Sequence, residues 1–316
     1  MVDLDRVARL LDDLDRQALR EPYVVAGFGG WIDAGSASSG AIDHLVRQLG
    51  AKCMAELDPE WFYTFTDTRP RTRPAEGQQR ENIWPRAEVS VVRLPESARR
   101  DLILFSAPEP NLRWRTFAET LVQLFQRLGA VSLLSLGAVL APVHHRVPVR
   151  LRGWGTTGEF RTALRQRRIA WSDYEGPTGI ATVLHAIAQE RGLGGAGLTA
   201  LTPSYLPGVM HPWTVVALLR AVADLSGLVL PLDTLDEAGR ALEAQIDQFL
   251  AERPTLRQEI EALGDPDLGS TTGSEPPTRE ADEPAELPSP QAVLEDLEEF
   301  LRGLRRGGNG GEEQTR

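Results

Sequence analysis

A single cysteine, Cys53, stands in 316 residues. It excludes an intrachain disulfide and a cysteine-rich metal site, and so little thiol fits a reducing compartment. No apolar run approaches the roughly 20 residues that span a bilayer. The first twenty residues are charged and have none of the apolar core of a signal peptide. The chain therefore reads as soluble and cytoplasmic, with no membrane partner. Nucleotide signatures are missing too: there is no Walker loop, and Gly27-Phe28-Gly29-Gly30 lacks the later glycine of the dinucleotide fingerprint. No Gly-x-Ser-x-Gly elbow is present, and Ser36 and Ser39 lie near glycines without a placed base. The histidines His44, His144, His145, His185 and His211 form no His-x3-His pair or compact ligand set, so no metal and no cofactor are expected.

A basic face is also lacking. The net charge is −11, and residues 264–316 hold 13 acids against 5 bases, leaving 32 against 29 in the body. Phosphate binding needs clustered cations, so nucleic acid is not an expected partner. The local exception is Arg69, Arg71, Arg73, Arg80 and Arg86. This stretch reads either as a solvated connection between strands or as a grip for an anion or acidic partner.

What is present is alternation. Leu4, Val7, Leu10, Leu11 and Leu14 recur at helical spacing and predict an opening helix within residues 1–20. Residues 23–28 are a short apolar run, a buried strand, and 36–49 a helix with Ile42, Leu45, Val46 and Leu49 on one face. Strands are expected at 52–57, 61–65, 89–94, 102–106, 131–140 and 197–201, and helices at 116–128, 179–190 and 212–225. Gly129 closes the helix at 116–128. Such alternation argues for an α/β sandwich with a largely parallel sheet. The domain spans 21–230, and an amphipathic helical extension, split near Pro254, spans 231–263. Residues 264–290, rich in Pro, Glu, Ser, Thr and Gly, read as a disordered acidic linker. Val293, Leu294, Leu297, Phe300, Leu301 and Leu304 give an amphipathic tail helix over 291–305, and 306–316 reads as a loose end.

Two glycine-rich turns carry the functional expectation. The first is Gly27-Phe28-Gly29-Gly30-Trp31-Ile32-Asp33-Ala34-Gly35-Ser36, and the second is Tyr174-Glu175-Gly176-Pro177-Thr178-Gly179-Ile180. Each joins glycines to a carboxylate and a small hydroxyl and leads into a helix, whose first N–H groups point outward. A polar cleft at the ends of the sheet follows. Its candidate lining is Gly29, Gly30, Trp31, Asp33, Gly35, Glu175, Thr178 and Gly179, with Glu109, Asn111, Arg113 and His144 from loops after other strands. Asp33 and Glu175 suit acid–base work or, more often for such positions, capping of helix N–H groups. His144 and His145 suit either a general base or plain bonding to backbone. No residue is assigned a catalytic role.

Five segments then resemble one known family. Gly30-Trp31-Ile32-Asp33-Ala34-Gly35 is similar to its Gly-Trp-x-Asp-Ala-Gly signature. Residues 61–70, 108–117 (Pro-Glu-Pro-Asn-Leu-Arg-Trp-Arg-Thr-Phe), 136–140 and 174–180 resemble its later blocks, in order. The family is that of proteasome assembly chaperone 2 (PAC2), in its actinobacterial form, and the resemblance covers about residues 21–263. It implies a three-layer, phosphorylase/hydrolase-like α/β sandwich. It also implies a non-catalytic protein that binds or helps assemble a protein complex, with proteasome subunits as the candidate partners. A homo-oligomer is implied as well, a trimer being the form to test. The alternative is a small-ligand binder or a hydrolase- or phosphorylase-like enzyme using the cleft. The chain departs from the family pattern in two places. It ends Glu313-Gln314-Thr315-Arg316 without the hydrophobic-Tyr-x terminus by which some relatives dock, and it has His144-His145-Arg146-Val147-Pro148 where relatives more often carry Pro-His-Thr-Arg-Pro.

Overall fold

The computed structural model describes residues 2–13, 18–75 and 79–263. The acidic linker, tail helix and chain end expected over 264–316 lie outside the described residues, as does Leu14.

Four apolar runs form the centre: β2 (Tyr23–Gly29), β7 (Leu102–Pro108), β8 (Ser132–Ala141) and β11 (Gly195–Pro203). They lie in the order β7-β2-β8-β11, all parallel. Parallel strands of this kind are buried on both faces, which is why they read as near-continuous hydrophobic runs. In β2, Val24, Ala26 and Phe28 enter one core layer, while Tyr23 and Val25 enter the other. The sheet is mixed toward its edges. The short strands β1 (Ala8–Leu10), β3 (Lys52–Leu57) and β6 (Glu88–Val92) extend it antiparallel beyond β7. Beyond β11 lie β9 (Leu151–Gly155), antiparallel to it, and β10 (Ala170–Trp171).

Helices cover both faces and make three layers. The helices α4 (Trp114–Arg127) and α6 (Ile180–Glu190) pack through Phe117, Leu121, Phe125, Ile180 and Leu184 on one side. On the other side, α2 (Ala37–Leu49), α5 (Gly158–Gln166) and α7 (Pro212–Ser226) pack through Ile42, Leu45, Leu164, Val215 and Leu219. The extension forms α8 (Asp233–Ala251) and α9 (Pro254–Glu261), parted where Pro254 has no N–H to continue the ladder. It builds a smaller core with Leu206 and Val209 of the β11–α7 loop. Among the described residues, no helix is long and apolar enough to cross a membrane.

Two local expectations fail. The opening segment is helical for one turn only, α1 (Leu4–Val7), before β1 pairs with β3 through Ala8 opposite Leu57. Edge pairing overrides the helical spacing there, since sheet context outweighs a short pattern. Residues 61–65, rich in aromatics, are not a strand. Asp58 accepts from Glu60 N and Pro59 sits at the first helical position, so α3 (Pro59–Phe62) forms instead. Tyr63 is then buried, with its hydroxyl donating to Pro108 O at 2.9 Å. The arginine-rich stretch forms a separate two-stranded hairpin, β4 (Arg71–Pro74) with β5 (Arg80–Ile83).

Candidate functional site

The neighbouring parallel strands β2 and β7 send their following helices to opposite faces, α2 to one and α4 to the other. Sheets of this kind commonly place ligands outside the carboxyl ends of two such strands. The loops that follow them meet at one point, where Glu109 N donates to Gly29 O at 2.6 Å. Gly30 permits the approach: its φ is +132°, and a Cβ there would sit 3.2 Å from Glu109 Cβ. The Glu109 carboxylate then reaches a third segment, Oε1 accepting from Ile180 N at 2.8 Å, and so caps α6. Gly29, Gly30, Glu109 and Gly179 are thus brought together at the end of the parallel core.

Asp33 lies on the same loop, which bonds to β8 through Ala138 N and Ile32 O at 3.0 Å. Its Oδ1 accepts from Ser38 N at 2.7 Å and Ser39 N at 3.1 Å, and its Oδ2 accepts from Ser39 Oγ at 2.6 Å. Burial pushes this carboxyl up to about 6 in spite of those three bonds. Ser38 is fully buried; its hydroxyl donates to Leu136 O at 2.7 Å and accepts from Phe28 N at 3.2 Å. One small side chain thereby ties β2, α2 and β8. Gly35, with φ +62°, lies against the carbonyl of Val209 in the β11–α7 loop.

The other candidates are placed differently. Asn111 Oδ1 accepts from Thr64 N at 3.1 Å and Thr68 Oγ1 at 3.0 Å, fastening the turn after α3. Arg113 donates to Trp61 O at 2.7 Å and lies 4.9 Å over the Trp61 ring. Glu175 and Thr178 are exposed. Glu175 does not supply the cap of α6, as its sequence position suggested; Glu109 does, from 71 residues away. Gly179 has φ −97°, so that turn needs no left-handed backbone at this residue. His144 belongs to another cluster. It stacks on His145 at 4.3 Å and accepts from Arg146 N at 3.1 Å, and burial lowers its pKa.

That second cluster joins the loop after β8 to α8. His145 Nδ1 lies 2.7 Å from Tyr205 Oη, its Nε2 lies 3.2 Å from Asp247 Oδ1, and Arg146 also pairs with Asp247. Sequence reasoning missed Tyr205 and Asp247, because their partners lie 60 and 102 residues away. It also missed Ser38.

The cap gives a direct test. Glu109→Ala should destabilise the fold by about 1–2 kcal/mol in urea denaturation, while Glu109→Gln keeps the acceptor oxygen and most of the stability. Equal losses for the two variants would remove the cap as the role of this side chain.

Comparisons with known proteins agree with this fold. The PAC2 family matches residues 27–250. A PAC2 family protein from Streptomyces avermitilis is 34% identical, with a TM-score of 0.70 over 77% of this chain and 100% of its own. The Mycobacterium tuberculosis proteasome-assembly chaperone homologue Rv2125 is also 34% identical, with a TM-score of 0.68 over 75% of this chain and 99% of its own. PbaB of Pyrococcus furiosus, an archaeal proteasome activator, shares the fold at 19% identity and a TM-score of 0.60, over 76% of this chain and 97% of its own. No curated protein matches. With the matched region covering most of the chain and two relatives 34% identical over nearly their whole length, the chain belongs to the PAC2 family.

Proposed function

We propose that this chain is a non-catalytic docking protein of the proteasome-assembly-chaperone type, with proteasome subunits as its partner class and a homo-oligomer, a trimer being the first form to test, as its working state. One observation carries the reading. The polar groups at this end of the sheet are engaged in holding backbone: Asp33 on α2, Glu109 on α6, Asn111 on Thr64 and Arg113 on Trp61. Large apolar side chains on the surrounding loops and at the end of β8 stay exposed instead: Trp31 by 58%, Tyr174 by 55%, Leu140 by 47%, Met210 by 43% and Leu112 by 41%. Trp31, Leu112, Leu140 and Met210 all follow or end strands of the parallel core, so they share one end of the molecule. A cluster of this sort is what a protein partner covers. The names of Rv2125 and PbaB supply the partner class.

The test is reconstitution of the tagged full-length protein with purified proteasome α and β subunits of its own organism, followed by co-purification. The wild type should retain subunits, and Trp31→Ser with Tyr174→Ser should lose at least ten-fold in apparent affinity, about 1.4 kcal/mol. Retention of no subunit by the wild type would sink the reading. A second reading, a small-ligand cleft, has the raised carboxyl of Asp33 in its favour, because perturbed groups cluster at functional sites. A thermal-shift screen of nucleosides, phosphate and carboxylic acids should then show a shift that Asp33→Asn abolishes.

A further inference from the structure

We propose that the hairpin β4–β5 is the docking surface for this chain's own acidic segment, residues 280–299. The hairpin stands apart from the nine-stranded sheet and pairs only within itself, through Arg71 opposite Ile83 and Arg73 opposite Glu81. Arg71, Thr72, Arg73, Pro74, Arg80, Glu81 and Asn82 are all exposed. An isolated two-stranded ribbon of this kind is marginal in water and gains from a covering partner. At its base the Phe65 and Trp84 rings meet at 4.9 Å, tilted by 57°, and Trp84 is itself 44% exposed.

Charge identifies the partner. Of the five arginines over 69–86, Arg73 pairs with Glu81 and Arg86 with Glu88. Arg69, Arg71 and Arg80 pair with no carboxylate among the described residues. Register puts Arg71 and Arg73 on one face of the ribbon and Arg80 on the other, so guanidinium groups project on both sides. The strand edges are poor templates for another strand, because Pro70, Pro74 and Pro85 remove N–H donors along them. What the ribbon offers is forked donors for carboxylates.

The sequence holds one segment that matches. Residues 280–299 contain Glu280, Asp282, Glu283, Glu286, Glu295, Asp296, Glu298 and Glu299, and no Lys or Arg. The body is close to neutral by comparison, at 32 acids against 29 bases. Reach is not limiting. The residues from 263 to 280 can span at most roughly 55–60 Å, against a radius of gyration of about 18 Å for a domain of this size. The inference does not depend on the proteasome reading. If both hold, the acidic segment competes with any acidic partner for the hairpin.

The test uses the full chain in a Cys53→Ser background, with Thr72→Cys on the hairpin and Ser289→Cys in the acidic segment carrying a donor and acceptor dye. Energy transfer should be high at roughly 50 mM salt and fall several-fold at roughly 0.5 M, where the Debye length shrinks below 5 Å. It should fall as far at low salt in a variant carrying Arg69→Glu, Arg71→Glu and Arg80→Glu. These positions are exposed, so the fold should survive, as circular dichroism would check. Transfer unchanged by the charge reversal and by salt would overturn the proposal. So would transfer seen only between singly labelled chains mixed together, which would place the segment on a neighbouring copy.

Discussion

Replacing Gly35 by alanine is expected to cost about 2–4 kcal/mol of folding free energy, and replacing Gly50 only about 1 kcal/mol. The two glycines have nearly the same backbone, φ +62° and φ +61°. A side chain at either must accept the left-handed region, which costs an L-residue roughly 1–2 kcal/mol. They differ in surroundings. A Cβ at Gly50 meets nothing within 4 Å, whereas one at Gly35 lies 2.5 Å from the carbonyl oxygen of Val209. That neighbour is backbone, anchored in the loop that carries Leu206 and Val209 into the core of α8 and α9. It cannot move aside as a flexible side chain does, so overpacking adds to the torsional cost. Urea denaturation of the two variants separates the terms, and their difference measures the close approach alone. Equal losses would show that the loop yields and that Gly35 serves only its backbone angle. Because Met210 follows Val209, the same substitution should weaken partner binding if the exposed apolar end is the docking surface.

This contrast also shows which parts of the molecule were legible from residues. The strands β2, β7, β8 and β11 were, because burial on both faces leaves a near-continuous apolar run in each. The split at Pro254 was, because the cause is a missing N–H at one residue. Asp33 as a cap was legible for the same reason: its partners Ser38 and Ser39 lie five and six residues on. The cap of α6 was not. Glu175 is close in sequence and exposed, while Glu109 is remote in sequence and close in space. Only the topology, which places the loop after β7 beside the start of α6, decides between two equivalent carboxylates. The opening segment failed for a similar reason, since a three-residue strand acquires its identity from the edge it joins. The short helix α3 was different. Asp58-Pro59 is a readable helix start, and the aromatic run that follows outweighed it.

Acid should destabilise the fold well before the carboxylates paired to arginine protonate. His185 and His211 are 1% and 2% exposed, and burial pushes them down to about 3 and about 4. Each is bonded through one ring nitrogen, His185 Nε2 to Ser135 Oγ at 3.0 Å and His211 Nδ1 to Thr214 Oγ1 at 2.9 Å. The other nitrogen of each is buried with no protein partner among the described residues. A proton on either ring would therefore bring a charge into a site that cannot solvate it. The unfolded chain binds these protons from about 6.5 downward and the folded chain does not, so stability is full above 6.5 and is lost as pH falls toward 4 and 3. Each histidine contributes a slope of about 1.4 kcal/mol per pH unit in that window. Asp33 acts in the opposite sense. Its folded pKa of about 6 lies above the unfolded value, so it stabilises as pH falls from 6 toward 3.8 and offsets part of the loss. Between pH 7 and 5 the two histidines remove about 4 kcal/mol and Asp33 returns about 1, so these three groups together leave a loss of a few kcal/mol. Asp101 and Asp247, held below the usual carboxylate range by hydrogen bonds from Arg20 and Arg146 respectively, add their losses only at lower pH. The measurement is urea stability at pH 7, 6 and 5 for the wild type and for His211→Asn, whose amide can still meet Thr214. Whatever its baseline, the variant should show a slope shallower by about 1.4 kcal/mol per unit between pH 6 and 5. An unchanged slope would mean that His211 already takes up its proton in the folded protein, and that the unpartnered nitrogen is reached by water.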